Sequence, residues 1–217
     1  GGVGSPDGDG GVWSIRVRDS TVFVGGSFSR IGGQDRSMIA ELDTATGLAT
    51  SWNPGAFGPG TPYPFIASLD TLGGRLYVGG SFSSIAGQAR HGLAAFDLGN
   101  GLLTDWDPGA SALSDLPEVY DLRVDGRSIY VGGWFQSIGG RPRSCAAELD
   151  ARSGVATEWN PDPSSVVYAM AVAESTVCIG GTFRSLGMVA RRNLAAFDLK
   201  TGKVTDWNPN PDGLIIY

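Results

Sequence analysis

Apolar and polar residues alternate in short runs along this chain, and these runs predict β-strands. In the first run the apolar residues Trp13, Ile15 and Val17 alternate with polar ones, the period-two pattern of a half-buried strand. A second apolar run extends from Val22 to Phe28. No stretch sustains the period of about 3.6 residues that a helix requires, so the pattern predicts an all-β fold.

The same pattern returns four times, with its landmarks at fixed positions. The first glycine of a Gly-Gly doublet precedes a tryptophan by 27 residues in every copy. These pairs are Gly25 and Trp52, Gly79 and Trp106, Gly132 and Trp159, and Gly180 and Trp207. The other constant positions are Phe28, Phe82, Phe135 and Phe183; Arg36, Arg90, Arg143 and Arg191; Asp43, Asp97, Asp150 and Asp198; and Pro54, Pro108, Pro161 and Pro209. A period of about fifty residues indicates a tandem-repeat architecture.

Each copy predicts four short strands. In the first copy these are the alternating run around Ile15 and residues 22–28, 38–43 and 48–52. The last two strands are joined by a turn that opens with Asp43, a natural acceptor of backbone N–H bonds, and closes with Gly47. The glycine doublet predicts a bulge, or a backbone packed where no Cβ fits. Four antiparallel strands in roughly 40–50 residues are typical of a β-propeller blade.

We therefore predict one all-β region, a β-propeller of four four-stranded blades spaced by 48 to 54 residues. The repeats span approximately residues 12–54, 65–108, 119–161 and 167–209, and residues 210–217 begin a fifth. Pro6 lies as far before Trp13 as the later closing prolines lie before their next strands, so a longer array is expected. A closed four-blade ring, or two chains that complete one ring, are the alternatives. Open propeller ends expose sheet edges that favour self-association.

Composition and charge exclude several classes of partner. The formal charge is −6 and no Lys/Arg cluster occurs, which argues against a nucleic-acid partner. The longest apolar runs are strand-sized, so neither a membrane-spanning helix nor a signal segment is predicted. Cys145 and Cys178 occupy different positions within their repeats, which favours two buried thiols over a disulfide.

One block carries a family resemblance. Residues 129–140 read IYVGGWFQSIGG, and they are followed by Arg143, by Glu-Leu-Asp at 148–150, by Gly154 and by Trp-Asn-Pro at 159–161. This arrangement resembles the delta-sixty repeats of bacteria, and the resemblance covers nearly the whole chain four times over. It implies a β-propeller within a large surface or secreted protein, and hence an extracellular or cell-surface location. It implies no shared catalytic site.

Two more distant likenesses concern other propellers. Kelch blades also have a glycine doublet at the end of a strand and a tryptophan downstream, but they lack the regular arginine. The stretch from Ala195 to Gly202 is similar to the quinoprotein repeat motif, yet Trp207 follows Gly202 by five residues instead of four. One residue turns a strand side chain to the other face, so a quinone is not expected, nor is any other cofactor.

The recurring residues are candidates for binding, with an architectural alternative. Arginines at equivalent blade positions could line one face and bind carboxylates or sulfates; these are Arg36, Arg90, Arg143 and Arg191. Alternatively, each arginine pairs within its own blade, because a residue present in every copy usually serves the repeat itself. The tryptophans are expected to pack between blades, and the turn aspartates to hold their hairpins rather than a metal.

The differences between repeats point to a binding surface. Repeats one and two have longer connections, residues 55–65 and 109–119, than the other two. Their apolar residues are the predicted contacts, namely Phe57, Tyr63, Phe65, Leu113 and Leu116. Because both connections leave the same corner of adjacent blades, we expect them to lie side by side on one face.

No catalytic or metal-binding set emerges from the sequence. The lone histidine, His91, is expected to be solvated, and the Asp-Gly-Asp-Gly run at residues 7–10 lacks the later ligands of a calcium loop. The leading hypothesis is a non-enzymatic extracellular or surface propeller that binds a protein or a glycan. One alternative is a polysaccharide hydrolase or lyase with Asp115 and Glu118 as candidates for the acid or the base. Another is a structural segment of a filament or sheath.

Overall fold

The computed structural model describes residues 10–58, 64–113 and 116–213. None of these residues lies in a helix, and the regular elements are antiparallel β-strands. The chain divides into two compact units, Gly1–Asp107 and Pro108–Tyr217, and each unit contains two repeats. The prediction of an all-β fold is confirmed. Among the described residues, no helix is long and apolar enough to span a membrane.

The strands follow the repeat. The first unit contains β1 (Val12–Arg18), β2 (Thr21–Gly26), β3 (Arg30–Ile31), β4 (Gln34–Asp35), β5 (Ile39–Asp43), β6 (Ala56–Phe57), β7 (Phe65–Leu72), β8 (Arg75–Ser81), β9 (Ser84–Ile85), β10 (Gln88–Ala89) and β11 (Leu93–Asp97). The second contains β12 (Glu118–Asp125), β13 (Ser128–Trp134), β14 (Ser137–Ile138), β15 (Arg141–Pro142), β16 (Ala146–Asp150), β17 (Val167–Ala173), β18 (Thr176–Gly181), β19 (Ser185–Leu186), β20 (Val189–Ala190) and β21 (Leu194–Asp198). Each repeat forms one three-stranded sheet, in the orders β1-β2-β5, β7-β8-β11, β12-β13-β16 and β17-β18-β21.

The predicted fourth strand is reduced to a single bridge. In repeat 1 the bridge joins Leu42 and Ala49, and its counterparts are Phe96–Leu103, Leu149–Ala156 and Phe197–Val204. The ladder stops there because the next carbonyl, that of Thr50, accepts a hydrogen bond from Arg36 at 2.5 Å. The prediction of a full fourth strand in each repeat is therefore wrong.

A small hairpin that the sequence interpretation missed follows the second strand of each repeat. In repeat 1 it consists of β3 and β4, joined by Gly32 and Gly33 at φ values of 58° and 77°. Positive φ at both central residues is the geometry of a type I′ turn, for which Gly-Gly is a favoured pair. The doublet at residues 32–33 was thus a readable signal for this hairpin.

The Gly25-Gly26 doublet is packed where no Cβ fits, one of its two predicted roles, whereas the bulge lies in the strand opposite it. Opposite it, β1 is bulged between Val12 and Ser14, and the same register shift recurs in β7, β12 and β17. A Cβ placed on Gly26 would lie 2.0 Å from the carbonyl oxygen of Gly11. The doublet therefore permits the strand to approach the bulged backbone closely.

Within each unit the hydrophobic core lies between consecutive repeats. In the first unit Phe23 of repeat 1 clusters with Ile66 and Leu69 from β7 of repeat 2. In the second unit Tyr130 of repeat 3 clusters with Met170 from β17 of repeat 4. In each unit the first repeat thus buries one face of its sheet against the first strand of the second.

The two cysteines are free, as predicted. Cys145 is buried and Cys178 is half-buried. Burial raises the pKa of both thiols, which keeps them protonated and poorly nucleophilic.

Candidate functional site

The four recurring arginines are clamps inside their own repeats. Arg143 donates from Nη1 to the carbonyl oxygen of Pro142 at 2.7 Å and from Nη2 to that of Thr157 at 2.6 Å. The same pair of bonds is made by Arg36, Arg90 and Arg191. Each clamp ties the small hairpin to the segment that replaces the fourth strand. These bonds match the alternative in which each arginine pairs within its own repeat. Burial agrees with it, because Arg36, Arg90 and Arg143 are only 8% exposed.

Trp52 and Trp159 pack between repeats, as predicted. Trp52 lies edge-on between Phe23 of its own repeat and Phe96 of the next, with ring centroids 5.4 and 5.2 Å away. Its indole N–H donates to the carbonyl oxygen of Gly101 at 2.9 Å. Trp159 sits in the same way between Tyr130 and Phe197. These rings belong to the packing of one repeat on another.

The recurring aspartates hold their turns. Oδ1 of Asp43 accepts the backbone N–H of Thr46 at 2.8 Å and its hydroxyl at 2.7 Å. Asp150 and Asp198 make corresponding bonds with Ser153 and Thr201. Hydrogen bonds to these turn residues hold the pKa of Asp43, Asp150 and Asp198 below the ordinary value of 3.8. Among the described residues, no group of His, Cys, Asp or Glu is arranged to hold a metal ion.

These depressed pKa values predict a loss of stability in acid. A carboxylate whose pKa is lower in the folded chain stabilises it above the unfolded-state pKa, and this contribution disappears as the pH falls through the folded-state pKa. We expect the free energy of unfolding to drop between about pH 6 and about pH 3. The drop should be smaller when Asp43, Asp150 and Asp198 are all replaced by Asn, which keeps an acceptor oxygen but cannot titrate.

Urea denaturation at the two pH values measures this difference. Glu174→Gln, at an exposed position outside these turns, is the matched control and should behave like the parent chain. Equal losses in the triple variant and the parent would contradict the assignment.

The first long connection pairs with the small hairpin of the repeat that follows it. Its strand β6 pairs with β9, with Ala56 opposite Ile85. Ala56 is fully buried, whereas the neighbouring Phe57 is 58% exposed on a fixed backbone. Phe65 does not face solvent: it begins β7, is 6% exposed and stacks against Trp13 at a centroid distance of 4.6 Å. Tyr63 lies outside the described residues.

At its start, the second long connection also pairs with the small hairpin of the repeat that follows it. Ser111 forms an isolated bridge with Ser137, and the backbone N–H of Leu113 donates to the side chain of Gln136 at 2.7 Å. Leu113 is 91% exposed, and Leu116 is half-buried. The short connection of repeat 3 makes the equivalent bridge, so the extra residues come after it. That the two long connections lie side by side stays a prediction.

Of the two carboxylates in the enzyme hypothesis, the structure describes only Glu118. Asp115 lies outside the described residues. Glu118 accepts a hydrogen bond from the hydroxyl of Tyr120, and burial followed by this bond raises the pKa of that phenol. His91 is exposed, as expected for a solvated side chain.

Two surfaces expose positions that are buried elsewhere in the repeats. The leading face consists of Val12 and Ile15 on β1, which are 37% and 53% exposed. Their counterparts on β17, Val167 and Met170, are 0% and 3% exposed because they pack on repeat 3. The counterparts on β7, Ile66 and Leu69, are both 0% exposed.

The trailing face is defined by Trp207 of repeat 4. Its ring is 49% exposed, whereas the equivalent Trp159 is 8% exposed. Cys178 is half-buried, whereas its counterparts Phe23 and Tyr130 are buried in the inter-repeat clusters. Neither face was singled out in the sequence interpretation, although the repeat alignment marks both sets of positions.

Comparison with known proteins supports the fold alone. No family model matches the chain, and no curated protein matches it. One similar solved structure is the extracellular domain of the one-component system BT4673 from B. thetaiotaomicron, with 16% identity and a TM-score of 0.54 over 89% of this chain and 22% of that chain. Another is the computationally designed Ika4 protein, with 12% identity and a TM-score of 0.52 over 87% of this chain and 91% of that chain. The chain thus spans about a fifth of the length of the first of these structures.

Proposed function

We propose that this chain is a non-enzymatic β-propeller module, located outside the cell or at its surface, that works by assembly and binding. The propeller assignment is supported by the four equivalent repeats and by the resemblance to delta-sixty repeats. The location is supported by the same resemblance and by the extracellular domain among the similar structures. The non-enzymatic assignment is supported by the structural contacts of recurring residues such as Arg143, Trp52 and Asp43 within and between repeats.

The observation that carries the assembly role is the contrast between equivalent positions. Ile15 is 53% exposed where Leu69 and Met170 are buried, and each of those buried residues is covered by another repeat. Trp207 is exposed where Trp52 contacts the following repeat. The leading and trailing faces are therefore complementary halves of an interface that this chain already uses.

The occupant we assign to these faces is a further repeat of the same kind, which a second copy of the chain can supply. In the next copy, the leading face offers the first strand that packs with Phe23 and Tyr130 in the other repeats. The third strand of that same repeat offers Trp207 the position that Phe96 has beside Trp52. Such contacts are heterologous, so they form a ring if the rotation closes and a filament if it does not. Burial of apolar side chains that are otherwise exposed drives the association.

Self-association of the purified chain tests this proposal. Sedimentation across a wide concentration range should show a concentration-dependent oligomer. Ile15→Ser and Trp207→Ser should each raise the dissociation constant by at least about tenfold, because each removes a large apolar side chain from the interface.

The matched controls are Met188→Ser and Leu113→Ser, which remove exposed apolar side chains from positions outside the two faces. Both should leave the dissociation constant unchanged. A monomer at every concentration would overturn the assembly role, and so would an oligomer that the controls weaken as much as Ile15→Ser and Trp207→Ser do.

The long connections supply the second part of the proposal, a contact surface for a protein or a glycan. Phe57 and Leu113 are exposed apolar side chains on segments whose backbones are hydrogen-bonded to a hairpin. An apolar side chain on a fixed backbone loses little conformational entropy when a partner covers it. Phe65 is buried, so it belongs to the support of this surface rather than to its contacts.

A further inference from the structure

Repeat 4 contains an open cavity of about 320 Å³ with an unusual concentration of positive charge. It is lined by Arg184, Ala190, Arg191, Arg192, Asn208 and Asn210. None of these lining residues is a carboxylate. Across the described part of the chain, none of the three guanidinium groups forms an ion pair.

Two of the three arginines are specific to repeat 4. At the position of Arg184 the other repeats have Ser29, Ser83 and Gln136, and at the position of Arg192 they have Ser37, His91 and Ser144. The repeat framework therefore does not require a guanidinium at either place. Both arginines are exposed, whereas the clamp arginine that lines the same cavity, Arg191, is partly buried.

The clamp arginine holds a fixed charge at this cavity. Arg191 donates to the carbonyl oxygens of Ala190 and Thr205 at 2.9 and 2.8 Å, so its guanidinium cannot swing away. The side chain of Asn193 donates to the carbonyl oxygen of Gly213, which anchors the segment that carries Asn210. This part of the cavity wall is therefore held in place before any ligand arrives.

Another repeat places a carboxylate beside the same clamp. In repeat 2 the clamp arginine, Arg90, lies 3.7 Å from Oδ2 of Asp107. The residue of repeat 4 at the position of Asp107 is Asn208, which carries no charge. Asparagine also stands at this position in repeats 1 and 3, as Asn53 and Asn160, so the two additional arginines are what distinguish repeat 4.

We propose that the cavity in repeat 4 is a binding site for an oxyanion, a sulfate or carboxylate group, which takes the place that Asp107 has beside the clamp in repeat 2. Planar guanidinium groups bind such anions through paired N–H donors, and the amides of Asn208 and Asn210 can donate to further oxygens. The cavity volume falls at the lower end of the range for small-ligand sites. The site does not depend on the proposed assembly role.

Calorimetric titration of the full chain tests the site with four probes. These are sodium sulfate, a sulfated oligosaccharide, an oligogalacturonate and a neutral dextran oligosaccharide. We expect at least one anionic probe to bind, the neutral one not to bind, and the affinity to fall as salt is raised. A sulfated sugar or uronate that binds more tightly than sodium sulfate identifies a glycan acid as the source, and equal affinities identify the bare oxyanion.

Two variants copy the residues of other repeats, so the fold should tolerate them. Arg184→Ser with Arg192→Ser reproduces repeat 1, and Asn208→Asp reproduces repeat 2. Each should weaken binding of the anionic probe by at least about tenfold, the first by removing donors and the second by supplying an internal carboxylate.

The controls match the change in charge elsewhere in the second unit. Arg127→Ser with Arg152→Ser removes two exposed arginines, and Asn160→Asp adds a carboxylate at the equivalent position of repeat 3. Both should retain binding. Failure of every anionic probe to bind would overturn the proposal, as would losses in the control variants equal to those in the variants of the cavity.

Discussion

Replacement of Gly80 by alanine is expected to destabilise the chain by about 3 kcal/mol or more. A Cβ at this position would lie 2.1 Å from the carbonyl oxygen of Phe65 and 2.9 Å from the Cα of Ile66. Both atoms belong to the backbone of β7, which is paired with β8 and packed on the core, so neither can move aside without loss of the ladder. Equilibrium denaturation in urea, followed by tryptophan fluorescence, measures the change.

Gly87→Ala is the matched control in the same repeat. Gly87 has a φ of 73°, but a Cβ there would meet no atom within 4 Å. The control therefore carries the strain of a left-handed backbone without a collision, and it should cost about 1 kcal/mol. If the two variants are equally stable, the close approach of β7 to the glycine doublet is not what requires Gly80.

The recurrence of these glycines explains why much of the fold is predictable from sequence. Fixed spacing between Gly25 and Trp52, repeated three more times, defines the strands, the turns and the packing of one repeat on the next. The same spacing overestimates the fourth strand, because periodicity cannot show that Arg36 takes the carbonyl that the strand would need. Local hydrogen-bond competition of this kind is visible only in three dimensions.

A backbone feature shared by all repeats also escapes the sequence. The residue two positions after each clamp arginine has positive φ: 64° at Met38, 73° at Gly92, 59° at Cys145 and 61° at Asn193. Gly92 is a natural choice for this conformation, and Asn193 is tolerated. Met38 and Cys145 do not signal it, because residues of these types normally have a negative φ. Here the surrounding ladder imposes the conformation: in repeat 1 both the N–H and the carbonyl group of Met38 are hydrogen-bonded.

The candidate sites were predictable to different degrees. Phe57 and Leu113 are exposed as the insertion hypothesis requires, whereas Phe65 is buried because it begins a strand instead of ending a loop. The basic cavity was overlooked although Arg184 and Arg192 depart from the repeat pattern. Positions 184 and 192 are eight residues apart in sequence. Their departures from the repeat pattern indicate a site only because the fold brings both residues to one cavity.

Loss of a clamp arginine is the second large effect that we expect. Arg143→Ala should lower the free energy of unfolding by about 3 kcal/mol, because it leaves the carbonyls of Pro142 and Thr157 without their charged donor. Arg143→Lys should recover only part of this loss, since one ammonium group cannot reproduce the two-pronged geometry of the guanidinium. Urea denaturation of the three proteins gives the ranking.

Arg141→Ala, two residues away in the same hairpin, separates the clamp from ordinary charge effects. Arg141 forms an ion pair with Glu158 at 2.5 Å, but the two side chains are 39% and 90% exposed, so the pair should contribute about 0–1 kcal/mol. If Arg143→Ala were no more destabilising than Arg141→Ala, the guanidinium would not be holding the repeat together. Conservation of the arginine across all four repeats would then need a ligand to explain it, and a shared carboxylate or sulfate site would replace the architectural role.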